Sequence, residues 1–322
     1  MPNLDFTGWY DHCWSAGHLP SMQEHGATPV AREQTRVVIG PWNHGGRGQR
    51  KCGEVDFGTQ AEVDMGLMAL QWFDHWLKGV GNGVEDWPAC RYFVMGAGQW
   101  HDSPTWPPVA ERLDVLYLDS PGAASPVSAG GALVAEPPAN DQPDQYVYDP
   151  RDPVRTLWEA GFFTIATDRR QLQHRRDIMI YRTEPLAQDL EIAGHPEVVL
   201  HAASSAPDTD FFARLVDDDP EGIALEVCYG FVRARYRYGF DREELLVPGE
   251  IAEFHIRLGP TAVRFAAGHR IRLEVTSSDF PNHDRNHNTG GDDMAETELV
   301  TARQSIHHSA AHPSRLILPV RV

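Results

Sequence analysis

The sequence predicts a two-part chain: an α/β segment over residues 1–87, followed by an all-β domain of the jelly-roll β-sandwich kind over residues 88–322. Three observations predict it. Residues 1–87 alternate short apolar runs with helical ones, at the spacing of parallel α/β units. Beyond residue 89 the apolar runs are short, β-rich and separated by turn residues, the pattern of an antiparallel sandwich or jelly roll. Strong helical periodicity is missing from that second part.

In the first part, Leu4 to Thr7 reads as a strand. A short helix is expected between Ser15 and His25, disturbed by Pro20 and stopped by Gly26. Arg36 to Gly40 is a second, β-branched strand. Thr59 and Glu62 form a capping box, and Val63, Leu67, Leu70, Phe73 and Leu77 then recur at spacings of three and four, predicting one buried helix face. Gly79 and Gly81 end that helix. Two parallel strands cannot hold a stable sheet by themselves, so residues 1–87 alone are expected to be labile.

In the second part, strands are expected at Arg91 to Met95, Leu113 to Leu118, Glu197 to His201, Phe211 to Val216, Ile223 to Tyr229, Ile251 to Leu258 and Ile271 to Thr276. Turns fall at Asp218 to Gly222, Pro248-Gly249 and Ala267-Gly268. The Gly/Ala/Ser/Pro-rich stretch from Ser120 to Gln145 reads as a long surface excursion.

Composition narrows the function classes. A formal charge of −18 argues against sequence-independent nucleic-acid binding, which needs Lys and Arg against phosphates. No stretch is long and apolar enough to span a bilayer, and the first residues lack the basic and apolar segments of a signal peptide. Cys13, Cys52, Cys90 and Cys228 lie far apart, which predicts free, mostly buried thiols and a reducing, cytoplasmic setting.

Two short apolar runs each end in a turn that offers a polar side chain. Residues 3–11 offer Asp11, and residues 37–44 offer His44. Side chains presented just after parallel strands converge on one point, as the acid and base of a nucleophile–His–Asp triad must. By spacing alone a plainer reading stands beside this one, in which Asp11 caps a helix and His44 is a loop histidine. Chain order in α/β-hydrolases puts the serine before the acid, and only ten residues precede Asp11. Ser15 and Cys13 are poor substitutes. Cys13 stands where a nucleophile elbow needs glycine, Ser15 follows the acid, and nothing near Cys13 lowers a thiol pKa. Trp9 and Trp42, each two residues before a candidate, are substrate-pocket candidates. His283, His287, His307, His308 and His312 could suggest a metal, but they sit in segments that read as surface loops, so no metal is expected.

Several stretches resemble the cocaine esterase / X-Pro dipeptidyl-peptidase family of serine hydrolases. They include Gly8-Trp9-Tyr10-Asp11, Gly40-Pro41-Trp42-Asn43-His44, residues 72–79, Asp210 to Leu215, residues 267–273 and Asn288-Thr289-Gly290. The resemblance implies the last two strands and helices of an α/β-hydrolase domain over residues 1–87 and a jelly roll after them. It places the family's triad acid on Asp11 and its histidine on His44. It also implies that the nucleophile elbow, oxyanion-hole tyrosine and cap have no counterpart here. The function so implied is cleavage of small ester, amide or X-Pro peptide substrates through an acyl-enzyme, without a cofactor. The chain alone is expected to be inactive for want of the serine. A complementing N-terminal half would be its partner. The alternative is a non-catalytic binding or assembly module.

Overall fold

The structure is a computed structural model that describes residues 1–11, 17–127, 130–139, 142–158 and 166–321. Cys13 and Ser15 lie outside the described residues.

A first sheet holds the strands β1 (Leu4–Tyr10) and β2 (Arg36–Asn43), with helices α1 (His18–His25) and α2 (Pro29–Gln34) between them. A small hairpin, β3 (Lys51–Cys52) and β4 (Val55–Asp56), precedes helix α3 (Met65–Lys78). The sheet then gains β5 (Cys90–Val94) and β6 (Gln99–Ser103), in the order β1-β2-β5-β6. The first three strands are parallel and β6 is antiparallel. The expected two-strand sheet is therefore four-stranded, and pairing carries it past residue 87. The residues explain why: four of the five in β5 are buried, which suits a parallel strand covered on both faces better than an alternating sandwich strand.

The start of α3 also differs from the capping-box expectation. Glu62 is extended, and Val63 donates its N–H to Gly48 O at 3.0 Å, so neither continues a helix from Thr59. Thr59–Ala61 forms only a 3-10 turn, and Asp64 Oδ1 caps α3 by accepting from Leu67 N–H at 2.9 Å. Gly79 ends the helix with φ +70°, as expected of a left-handed C-cap. The predicted buried face is not the buried one. Leu67, Leu70, Phe73 and Leu77 are exposed, and α3 packs through Trp72, whose ring meets Trp76 and Trp87.

The remaining strands are β7 (Arg112–Asp119), β8 (Gly131–Val134), β9 (Asp144–Tyr148), β10 (Met179–Arg182), β11 (Leu190–Gly194), β12 (Glu197–Ser204), β13 (Asp210–Asp218) and β14 (Ala224–Arg233), followed by β15 (Ala252–Arg257), β16 (Thr261–Phe265), β17 (Arg270–Thr276), β18 (Ala302–His307) and β19 (Arg315–Arg321). They join in one connected sheet running β14-β13-β17-β10-β8-β7-β19-β12-β18-β9. Strands β19, pairing β7, β11 and β12, and β12, pairing β15, β18 and β19, are branch points. Phe211 of β13 meets Phe254 of β15 at 4.8 Å between ring centroids, although the two strands share no ladder. The sheet therefore folds over so that distant strands face each other across a core. The stretch from Ser120 to Gln145 is not purely a surface excursion. It contains β8, which pairs β7 and β10, and it buries Ser120 and Ala124.

One apolar core runs through both regions, from Trp9, Ile39 and Phe93 to Phe254, Val263 and Leu318. Met95, just after β5, pairs in parallel with Val263 of β16 and fixes the two sheets together. Cys52, Cys90 and Cys228 are free and buried, and burial pushes the Cys52 thiol up to about 11. Among the described residues no helix is long and apolar enough to cross a membrane.

Candidate functional site

Asp11 and His44 meet. Strands β1 and β2 are parallel neighbours in the register Gly8 to Gly40 and Tyr10 to Asn43, so the residues that follow them leave the sheet at the same end. Gly8 is needed for this approach, because a Cβ there would stand 2.0 Å from Trp42 O. A turn then closes as Asp11 N–H donates to Gly8 O at 3.0 Å. After β2, Asn43 Oδ1 accepts from Gly46 N–H at 2.7 Å and turns the chain at His44. The outcome is His44 Nδ1 at 3.0 Å from Asp11 Oδ1. With the proton on Nδ1, the imidazole donates to the carboxylate and points Nε2 as an acceptor. The Asp11 side chain is 17% exposed and that of His44 41%.

Sequence reasoning missed a third member, Arg47. Its Nε lies 3.1 Å from His44 O and 3.6 Å from Asp11 Oδ2. Its Nη2 sits 3.2 Å from His44 Nε2 and 2.9 Å from Nδ1. The guanidinium thus neutralises Asp11 and donates toward the nitrogen that a triad would use for proton transfer. Its signal was present as a basic residue three positions after the histidine, inside the same turn.

The two tryptophans part company. Trp9 is buried, donates Nε1–H to Phe93 O at 2.8 Å, and packs on Trp106 with ring centroids 5.1 Å apart. It also lines a cavity of about 590 Å³ between the two sheets, together with Tyr10, Cys228, Tyr229, Phe231 and His283. Trp42 is not among that cavity's walls. It is wholly buried, donates Nε1–H to Ala61 O at 3.1 Å, and leans on Trp100. Tyr10 ties the sheets by donating its hydroxyl to Glu226 O at 3.1 Å, and burial pushes its pKa up. Neither Asp11 nor His44 lines the cavity.

Residues 82–317 match the profile of the X-Pro dipeptidyl-peptidase C-terminal non-catalytic domain. The chain belongs to the cocaine esterase / X-Pro dipeptidyl-peptidase family of hydrolases. It is 36% identical over 329 residues to a cocaine esterase of Rhodococcus sp. (strain MB1 Bresler), a match that covers 99% of this chain and 56% of the relative. The fold resembles that of an aminopeptidase from a marine-sediment Thaumarchaeota archaeon, with a TM-score of 0.84, 29% identity, and coverage of 100% of this chain and 55% of the other. It also resembles an α-amino acid ester hydrolase, with a TM-score of 0.83, 26% identity, and coverage of 100% and 56%. The chain spans about half the length of the relatives it matches. The membership agrees with the family resemblance read from the motifs.

Proposed function

We propose that this chain forms the acid-and-base half of a serine hydrolase site, with Asp11 and His44 completing a triad whose serine comes from residues outside these 322. The observation that carries the reading is the 3.0 Å contact between His44 Nδ1 and Asp11 Oδ1 at the shared end of two parallel strands. In the complete site, His44 Nε2 takes the serine proton as the hydroxyl attacks an ester or amide carbonyl. It returns that proton to the leaving group, and repeats the exchange with water to release the acyl group. Asp11 holds the tautomer and stabilises the imidazolium. Arg47 leaves Nε2 when the serine approaches, since one nitrogen lone pair cannot serve both. Substrates are small esters, amides or X-Pro peptides, and no cofactor takes part. The β domain is a jelly roll that frames the hydrolase sheet.

The missing layer has a place to dock. Strand β1 lies at the edge of its sheet, and α3 presents Leu67, Leu70, Phe73 and Leu77 to solvent. A preceding hydrolase segment, on the same chain or as a separate half, covers both. The profile matched over residues 82–317 describes a non-catalytic domain, which favours a second reading for that part, as a module for binding or assembly.

The test combines an ester-hydrolysis assay with a labelled phosphonate probe. The 322-residue chain is expected to give neither turnover nor labelling, and stoichiometric labelling of any of its serines defeats the proposal. Mixed with a polypeptide that carries the nucleophile elbow, it is expected to regain turnover. His44→Ala then lowers kcat by about 10³-fold or more. Restored turnover that survives His44→Ala removes the triad assignment.

A further inference from the structure

The loop between β17 and β18 gathers three metal-competent side chains that the hydrolase site does not use. His287, Asp293 and Glu296 each direct a donor atom into one spot, and these atoms all lie within 4.8 Å of one another. His287 Nδ1 and Glu296 Oε1 are 3.7 Å apart. Donors on a tetrahedral zinc ion at about 2.1 Å stand roughly 3.4 Å from each other, so closure needs a pair to approach by at most about 1.4 Å, shared between the two side chains.

A plain surface loop does not account for the surroundings. The Asp293 side chain is 7% exposed and that of His287 13%. His287 Nδ1 is shielded from solvent and makes no hydrogen bond, and Asn288 Oδ1 in the same loop is also buried without one. Buried polar atoms of this kind are costly unless something satisfies them. The carboxylates are already oriented. Arg233 holds Asp293 at 2.8 Å, and the Thr289 hydroxyl donates to Glu296. The local charge is unbalanced too. Asp208, Asp210, Asp293 and Glu243 pair with Arg233 and Arg235, an excess of two negative charges before Glu296 beside His287 is counted.

We propose that His287, Asp293 and Glu296 bind a divalent first-row transition metal, zinc by preference, that pins the loop between β17 and β18. The imidazole nitrogen selects against calcium and magnesium, which prefer all-oxygen shells. The ion cancels the negative excess and supplies the direct bond that His287 Nδ1, 3.7 Å from Glu296 Oε1, does not make. Its role is structural, because its ligands include neither Asp11 nor His44 and it holds a segment whose Asn286 donates to Asp208 and Asp210 at 2.7 and 3.0 Å. The proposal is independent of the hydrolase reading.

The test uses the untagged full chain, stripped with a chelator and titrated with zinc by calorimetry. One zinc per chain is expected, with thermal melting raised by about 5 °C in excess metal. Cobalt in its place is expected to show the visible bands of a low-symmetry nitrogen–oxygen site. His287→Ala and Glu296→Gln each weaken binding at least about tenfold, whereas a His307→Ala/His312→Ala variant binds as before. Glu296 is the more exposed ligand, so Glu296→Gln folds even if His287→Ala does not. Absence of stoichiometric zinc, unchanged affinity in Glu296→Gln, or loss of binding in the His307/His312 variant overturns the proposal.

Discussion

The two sheets of this protein solve the problem of covering apolar surface to different extents. In the first, β1 is an edge strand, and α3 leaves Leu67, Leu70, Phe73 and Leu77 at 46–67% exposure. In the second, the strands close over Phe211, Phe254, Leu273 and Leu318, all fully buried. The second sheet also buries charge. Arg169 donates to Glu274 at 2.7 Å, Arg272 donates to the same carboxylate, and Arg214 donates to Glu226 at 3.0 Å. A mostly antiparallel sheet, with only the β8–β10 pair parallel among the described residues, can satisfy itself by folding over, whereas a parallel sheet needs layers on both faces and strands on both sides. The difference teaches that the two regions share a core without sharing independence.

The comparison breaks most readily at the buried ion network. Glu274→Gln removes the buried carboxylate that Arg169 and Arg272 share, leaving Arg169 only Glu226 at 3.3 Å and Arg272 only Asp218 at 3.2 Å, and is expected to cost about 3–5 kcal/mol in urea unfolding. Native-state hydrogen exchange should then show protection falling in β13 and β17. Equal loss in β1 and β2 would show that the regions unfold as one. Acid is the next lever. Burial raises the Glu274 pKa, but Arg169 and Arg272 outweigh it and hold the carboxyl at about 2, against 4.5 when unexposed to them. The lowered folded value means this stabilisation is present above pH 4.5 and is lost as pH falls from there through 2, an effect on the order of 3 kcal/mol. A stability curve that is flat across that window would contradict the network. The smallest effect sharpens the other side. Leu77→Glu on the exposed face of α3 should change the stability of the chain by no more than about 0.5 kcal/mol, while weakening its pairing with any complementing hydrolase half. A loss above about 2 kcal/mol would mean that α3 is covered within this chain.

Much of this was legible in the sequence. Each of the seven β-rich runs beyond residue 89 falls on a strand, because alternation and turn residues such as Gly222 (φ +91°) and Gly268 (φ +87°) are local signals. Asp11 and His44 were legible as residues that follow strands. Arg47 left only a basic residue three positions after the histidine as its signal, since nothing in a one-dimensional pattern says that a guanidinium folds back onto its own turn. The α3 face was misread for a related reason. Periodicity shows that a helix has an apolar face, not that these residues meet a partner, and here the covering contacts run through Trp72 instead.

By itself, the sequence determined where the named β-rich runs and their turns lie, which residues follow β1 and β2, and which family the motifs resemble. The tertiary structure alone decided that Cys90–Val94 joins the parallel sheet, that β19 bridges three strands, and that His287, Asp293 and Glu296 converge. The physical reason is range. Backbone propensity, capping and turn geometry act over a few residues, whereas strand pairing, burial and charge compensation depend on partners that lie tens to hundreds of positions away.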